Sequence, residues 1–127
     1  RVPAACRVGL DREEPVLREA RFLHGADMRF ARADLADAAA TLREDGPIDV
    51  LIMINWPHTV AFEEIVSAVT AMRQAPGVNY LLIDTVKPGR GKYRFAHGVQ
   101  DLERLGDITA SMDAGDAIRD LQLVRLR

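Results

Sequence analysis

The sequence has few features that would cross-link the chain or carry it into a membrane. Of its 127 residues only one is a cysteine, Cys6, which excludes an internal disulfide and a cluster of thiolate metal ligands. Residues 50–54 form the longest apolar run, far short of the ~20 residues that cross a bilayer, and no charged-then-apolar leader opens the chain. We therefore expect a cytoplasmic protein with no membrane partner and no metal.

An excess of charge of either sign is also absent. There are 17 Lys and Arg residues against 19 Asp and Glu residues, a formal net charge of -2, so no general attraction to nucleic acid is expected. The length is that of one domain, and we predict a single domain over residues 1–127. Its first residues lack an initiator methionine and resemble the end of a helix and its loop, which predicts that residues are missing upstream.

Short apolar runs alternate with amphipathic stretches, a pattern typical of βα units that build a parallel sheet. Residues 48–54 are nearly all Val, Leu, Ile and Met, which predicts a strand covered on both faces. Residues 121–127 fit either an edge strand paired to its predecessor or a final helix. The remaining predicted strands are residues 6–11, 28–33, 79–86 and 108–112, and the predicted helices are residues 13–24, a helix from Asp34, a helix capped by Thr59 and residues 99–105.

The turn that follows the central strand, Asn55-Trp56-Pro57-His58, lies where ligands of open α/β sheets bind. His58 is a candidate general base for a substrate hydroxyl, because an imidazole with a pKa near ~6.5 accepts a proton at neutral pH. The alternative is a histidine that fills the first turn before a helix. Trp56 fits either a packing role or a substrate platform. A basic loop, residues 87–92, precedes His97 and is long enough to be functional.

The order of these segments resembles that of the class I S-adenosylmethionine-dependent methyltransferases from their second strand onward. The resemblance implies an α/β fold with a three-layer, Rossmann-like, mostly parallel sheet and a C-terminal antiparallel hairpin. The segments that carry it are residues 8–11, 32–35, 48–55 and 81–84 at the second to fifth strands, Ala75-Pro76-Gly77 at a helix end, and residues 119–126 at the final antiparallel strand.

The resemblance also implies site residues. Asp11, at the acidic end of the second strand, would accept hydrogen bonds from the ribose hydroxyls of S-adenosylmethionine. Asp34 or its neighbouring backbone would contact the adenine amino group, and Asn55 would complete the cofactor-binding set. His97 lies on the segment that covers the substrate in this family. His58 and His97 are therefore the candidate catalytic residues.

One element of the family is absent from the sequence, the glycine-rich loop that precedes the second strand and approaches the methionine portion of the cofactor. Gly89 and Gly91 follow a later strand and do not replace it. The chain alone is therefore expected to bind the cofactor poorly, unless the missing segment comes from upstream residues or another chain. The implied parent activity is methyl transfer to a hydroxyl or amine of a small molecule, with a homodimer as a possible assembly.

Two other interpretations stay open. Five βα units would also make a receiver-like binding module, although its phosphoacceptor position falls on Met53 and no lysine follows the last candidate strand. A degenerate methyltransferase portion, retained for binding or dimerisation without catalysis, is the second. An extended segment at residues 121–126 favours the methyltransferase, whereas a helix there favours the receiver-like fold.

Overall fold

A computed structural model describes residues 7–127. Strands and helices alternate as far as the fourth strand, and two antiparallel strands end the chain. The strands are β1 (Val8–Asp11), β2 (Arg29–Arg32), β3 (Ile48–Met53), β4 (Val78–Val86), β5 (Gly106–Asp113) and β6 (Arg119–Leu126), and the helices are α1 (Glu14–His24), α2 (Ala38–Leu42), α3 (Phe62–Gln74) and α4 (Val99–Leu102).

The strands form two hydrogen-bonded sheets. β1 and β2 make a parallel pair, and the other sheet has the order β3-β4-β6-β5. In this second sheet β3 and β4 are parallel, whereas β6 runs antiparallel to both β4 and β5. The predicted α/β class and the C-terminal antiparallel hairpin are confirmed. The prediction of a mostly parallel sheet is wrong, because the four-stranded sheet is mixed.

The final segment is extended, so the helical alternative for residues 121–127 is wrong. The prediction of an edge strand is wrong as well, because β6 lies between β4 and β5. The burial pattern gives the reason: Gln122, Val124 and Leu126 are buried and alternate with side chains that are mostly half-buried. β5 is mostly exposed and occupies the edge instead.

One hydrophobic core underlies both sheets. Ile65, Val69 and Met72 of α3 pack in it with the inward residues of β3, β4 and β6. Val8 and Leu10 of β1 are half-buried and pack against the same cluster. The two sheets therefore share a core, although no strand pairing joins them within residues 7–127. Within this range no helix is long and apolar enough to cross a bilayer.

The central strand β3 is covered on one face only. Met53 is buried and belongs to the core, but Val50 is 43% exposed and Ile52 is 61% exposed. Because side chains alternate between the faces of a strand, these two share the face away from the core. The prediction that both faces are covered is wrong for the described chain. The composition of β3 indicates a buried strand, but no described element packs over Val50 and Ile52.

Several predicted boundaries also shift. Thr59 does not cap α3, because its hydroxyl donates to the carbonyl of Trp56 at 2.7 Å and the helix begins at Phe62. The N–H of Ala61 is instead satisfied by the Glu64 carboxylate at 3.3 Å. The helix expected from Asp34 begins as a turn of 3-10 helix, and α2 proper is short. Cys6, predicted to open the first strand, lies outside the described residues.

A matched pair of isoleucines tests the one-sided burial of the sheet. Ile83 of β4 is 0% exposed and Ile52 of β3 is 61% exposed. We expect Ile83→Ala to lower the free energy of unfolding by about 3 kcal/mol, because it leaves a cavity. Ile52→Ala should cost less than about 1 kcal/mol, as surface substitutions do. Urea unfolding of the 127-residue chain measures both, and equal costs would show that the face over Ile52 is covered.

Candidate functional site

The carboxyl ends of β1 and β2 form an acidic rim. Asp11 and Arg32 are register partners at the ends of the two strands, and the N–H of Ala33 donates to the carbonyl of Asp11 at 3.0 Å. Asp34 follows directly, so the predicted pair of carboxylates belongs to neighbouring strand ends. We call this edge, with Asp11, Asp34 and Asp37, the acidic rim.

A cavity of about 510 Å³ opens at the acidic rim and is mostly polar. Asp11 precedes the lining residue Arg12 and has one oxygen engaged, since Oδ1 accepts the N–H of Glu13 at 2.8 Å. Within the described residues, neither Oδ2 of Asp11 nor the exposed carboxylate of Asp34 accepts a hydrogen bond. The rim thus offers carboxylate acceptors to a ligand that has several donors. The cavity is lined by Arg12, Glu13, Arg32, Ala33, Asp34 and Asp37.

The second group of predicted residues lies in the turn between β3 and α3, residues 54–61, which we call the β3–α3 turn. Its first exposed residue, Asn55, has φ 75 and ψ -53, the region of a strained γ-turn. It is the only residue besides glycine with a positive φ among residues 7–127. Such a conformation costs of order 1–3 kcal/mol and persists only where the surroundings hold it in place.

The carboxylate of Asp84 on β4 holds this turn. Asp84 is 1% exposed, and its Oδ2 accepts the N–H of Asn55 at 3.1 Å and a guanidinium N–H of Arg119 at 3.0 Å. Oδ1 faces Nε2 of His58 at 3.5 Å, the outer limit of a hydrogen bond. Neither of these two buried atoms has a hydrogen-bond partner among the described residues, so this contact is the weakest of the three. Asp84 thereby joins β4 and β6 to the turn.

His58 and His97, the predicted catalytic residues, contact each other inside the protein. Their ring centroids are 5.3 Å apart, and the backbone N–H of His97 donates to Nδ1 of His58 at 3.3 Å. Nε2 of His97 lies 2.9 Å from the carbonyls of both Pro57 and Val60, which places its ring proton on that nitrogen. The rings are 1% and 4% exposed. The two imidazoles therefore fasten the turn to residues 93–98.

Charges around Asp84 lower its pKa. Burial raises the pKa of Asp84, but the facing imidazole of His58 and the hydrogen bonds from Arg119 and the Asn55 amide outweigh it, and the net shift is downward. The pKa of Arg119 is raised because Asp116 and Asp84 both accept its N–H groups. The buried carboxylate is therefore ionised at neutral pH.

The predicted basic loop borders a separate cavity of about 470 Å³, which Lys87, Arg90 and Asp120 help to line. Lys87 is not free to bind an anion, because its ammonium group lies 3.1 Å from Asp113 and 3.6 Å from Asp120. The hydrogen bond to Asp113 also raises the pKa of Lys87. The charge of Lys87 is thus balanced within the protein.

The structure brings together two of the predicted groups, Asp11 with Asp34 and His58 with His97, and leaves their roles as predictions. Sequence reasoning missed the link between the β3–α3 turn and the sheet, which is made by Asp84 and Arg119. The one available signal was an acid within the mostly apolar residues 81–86, which shows that a buried carboxylate needs donors but not which donors. No group of three or more potential metal ligands lies within the part of the chain described here.

Comparison with known proteins identifies the fold. No protein-family model matches the sequence, and no curated protein matches it. Solved structures do match. The PH0226 protein from Pyrococcus horikoshii OT3 aligns over 96% of this chain with a TM-score of 0.71 and 15% identity. An S-adenosylmethionine-dependent methyltransferase from Clostridium acetobutylicum ATCC 824 aligns over 95%, with a TM-score of 0.68 and 11% identity.

A third match is the mitomycin 7-O-methyltransferase MmcR, which aligns over 94% of this chain with a TM-score of 0.68 and 17% identity. The chain spans 72%, 75% and 41% of these three structures. The fold predicted from the sequence, that of the class I S-adenosylmethionine-dependent methyltransferases, is confirmed. The chain corresponds to part of it.

Acid titration tests the ion pair between Asp116 and Arg119. Hydrogen bonds from the N–H of Ile118 and from the side chain and N–H of Arg119 lower the pKa of Asp116 from 3.8 to about 2. A carboxyl group whose pKa is lower in the folded state than in the unfolded state stabilises the protein at pH values above its unfolded-state pKa. This contribution is lost as the pH falls through its folded-state pKa. The stability difference between the wild type and Asp116→Asn should therefore shrink between about pH 6 and pH 2. Urea unfolding at several pH values measures it, and a constant difference would contradict the assignment.

Proposed function

We propose that the chain forms the nucleoside-binding part of an S-adenosylmethionine-dependent methyltransferase that modifies a hydroxyl or amine of a small molecule. The observation that carries the proposal is the acidic rim: the carboxylates of Asp11 and Asp34 follow neighbouring parallel strands, and Asp34 lines a cavity of about 510 Å³. Methyltransferases among the matching structures supply the reaction class.

The acidic rim suits the nucleoside half of the cofactor. A ribose presents two adjacent hydroxyl donors, and Oδ2 of Asp11 accepts no hydrogen bond from the described residues, so it is the natural acceptor. Asp34 or the backbone beside it would serve the adenine amino group. The described residues contain no glycine-rich loop for the methionine half, so full affinity requires a strand and loop supplied by upstream residues or a second chain.

The bound cofactor would supply an electrophilic methyl group on a sulfonium. The task left to the protein is mainly to align the acceptor atom in line with it and to exclude water. Asn55 and the half-exposed Trp56 extend from the β3–α3 turn, where they suit contact with cofactor and substrate. We place the substrate beside this turn and residues 93–98, and we retain a homodimer and a cytoplasmic location as proposals.

A proton-accepting role for His58 has a geometric requirement. Its Nδ1 accepts the N–H of His97 and its Nε2 faces Asp84, so a substrate proton reaches the ring only after one of these contacts opens. The role of His97 has the same requirement, since its Nε2 is held by two carbonyls. Both assignments remain proposals, and methyl transfer to an amine would need neither.

A second candidate function is a binding or dimerisation module without catalysis. The observation that favours it is the open side of β3, where Val50 and Ile52 are exposed and no strand pairs with the free edge within residues 7–127. The two candidates differ in one measurable respect, because only the methyltransferase binds S-adenosylmethionine.

Calorimetry with S-adenosylmethionine tests the proposal. The 127-residue chain should bind weakly, and the same chain extended at its amino end by a strand and a glycine-rich loop should bind tightly. Asp11→Asn in the extended chain should weaken binding about 10- to 100-fold, because a hydrogen bond to a charged group is worth about 1.5–3 kcal/mol. Asn at this position can still accept the N–H of Glu13, so the turn itself is retained.

The matched control is Asp27→Asn, an exposed aspartate just before β2 and therefore at the opposite edge of the parallel pair. It should leave affinity unchanged. If the extended wild type fails to bind, the methyltransferase proposal is wrong and the binding module is favoured. If both variants bind as tightly as the wild type, the assignment of Asp11 is wrong.

A further inference from the structure

Asp84 is a buried charge with a specific set of neighbours. Its two oxygens face three groups from distant parts of the chain: the N–H of Asn55, the guanidinium of Arg119 and Nε2 of His58. A buried carboxylate is costly unless it is paired and hydrogen-bonded. Its presence in an otherwise apolar strand core therefore calls for a role that an apolar residue does not provide.

All three groups that face Asp84 present N–H donors to it. Because the N–H of His97 donates to Nδ1 of His58, that nitrogen carries no proton and the ring proton lies on Nε2. Nε2–H then points at Oδ1 of Asp84. The amide of Asn55 and the guanidinium of Arg119 are also donors. A side chain that can accept at both terminal atoms suits all three neighbours, and a carboxylate is such a side chain.

From this arrangement we infer that Asp84 is a positioning residue for the ligand site. Its carboxylate holds the strained amide of Asn55, and with it the β3–α3 turn, in the conformation that places Asn55 and Trp56 at the carboxyl end of β3. Together with the N–H of His97, it holds the ring proton of His58 on Nε2. The part of this inference that concerns the ligand rests on the proposed function, whereas the part that concerns the turn rests on the contacts alone.

The wild-type chain provides the first test. Nitrogen-15 NMR of the histidine rings, at a pH where His58 is neutral, should show the ring proton of His58 on Nε2. A proton on Nδ1 would overturn the inference without any substitution. Trp56 is the single tryptophan of the chain, so its fluorescence reports on the turn directly.

Asp84→Asn provides the second test. An amide has one acceptor and one donor terminus, so an N–H would face either Nε2–H of His58 or the donors on the other side. We expect the His58 tautomer to become mixed and the emission of Trp56 to shift. The matched control is Asp116→Asn, which also removes a carboxylate from Arg119 but touches neither Asn55 nor His58. The control should keep both wild-type signals, and unchanged signals in Asp84→Asn would overturn the inference.

Calorimetry on the extended chain completes the test. Asp84→Asn should weaken S-adenosylmethionine binding about tenfold or more, since small displacements of positioning groups have effects of that size, and Asp116→Asn should stay within about twofold of the wild type. An altered tautomer with unchanged affinity would overturn the positioning role and leave a structural one. If the extended wild type does not bind at all, the proposed function fails, while the NMR and fluorescence results still decide whether Asp84 sets the turn.

Discussion

The pairing of β3 on one side only is the constraint from which most features of this structure follow. A strand in the middle of an α/β sheet normally satisfies its backbone N–H and C=O groups through two neighbours, and β3 has one among the described residues. Its outward side chains, Val50 and Ile52, stay exposed because no described element packs over that face. Within the described residues β3 therefore has both a free edge and an open face.

Two parts of the described chain carry the proposed ligand site. The acidic rim on β1 and β2 presents carboxylate acceptors, and the β3–α3 turn presents Asn55 and Trp56. The turn owes its shape to Asp84, which reaches it from β4, and to the two histidines that fasten it to residues 93–98. The parts of the chain proposed to bind the nucleoside and to face the substrate are therefore separate elements, and the shared core under both sheets holds them together.

Local patterns in the sequence predicted most of the fold, because hydrophobic periodicity and turn residues act over short distances. The strands β3 and β4, the helix α3 and the Pro76-Gly77 break all followed from them. The edge position assigned to β6 was wrong, since an alternating pattern does not say which strands will flank it. The prediction that β3 is buried on both faces was wrong. The composition of a strand indicates the environment that suits it, whether or not other elements cover it.

The candidate site was predictable in part for a related reason. Acids at strand ends, such as Asp11 and Asp34, can be read from the order of the elements, and an asparagine after a strand is a fair signal of a positive φ. The role of Asp84 was not predictable, because its donors at Asn55 and Arg119 lie 29 and 35 residues away. Such contacts depend on strand order, which no local pattern encodes.

Hydrogen exchange of the backbone amides in β3 tests the central claim most directly. In the 127-residue chain, alternate amides of β3 should exchange fast, while those of β4, which is paired on both sides, are protected throughout. Addition of the strand and glycine-rich loop should slow the fast amides to the rate seen in β4. Uniformly slow exchange along β3 in the chain alone would contradict the account, because it would mean that the second edge of β3 is also paired.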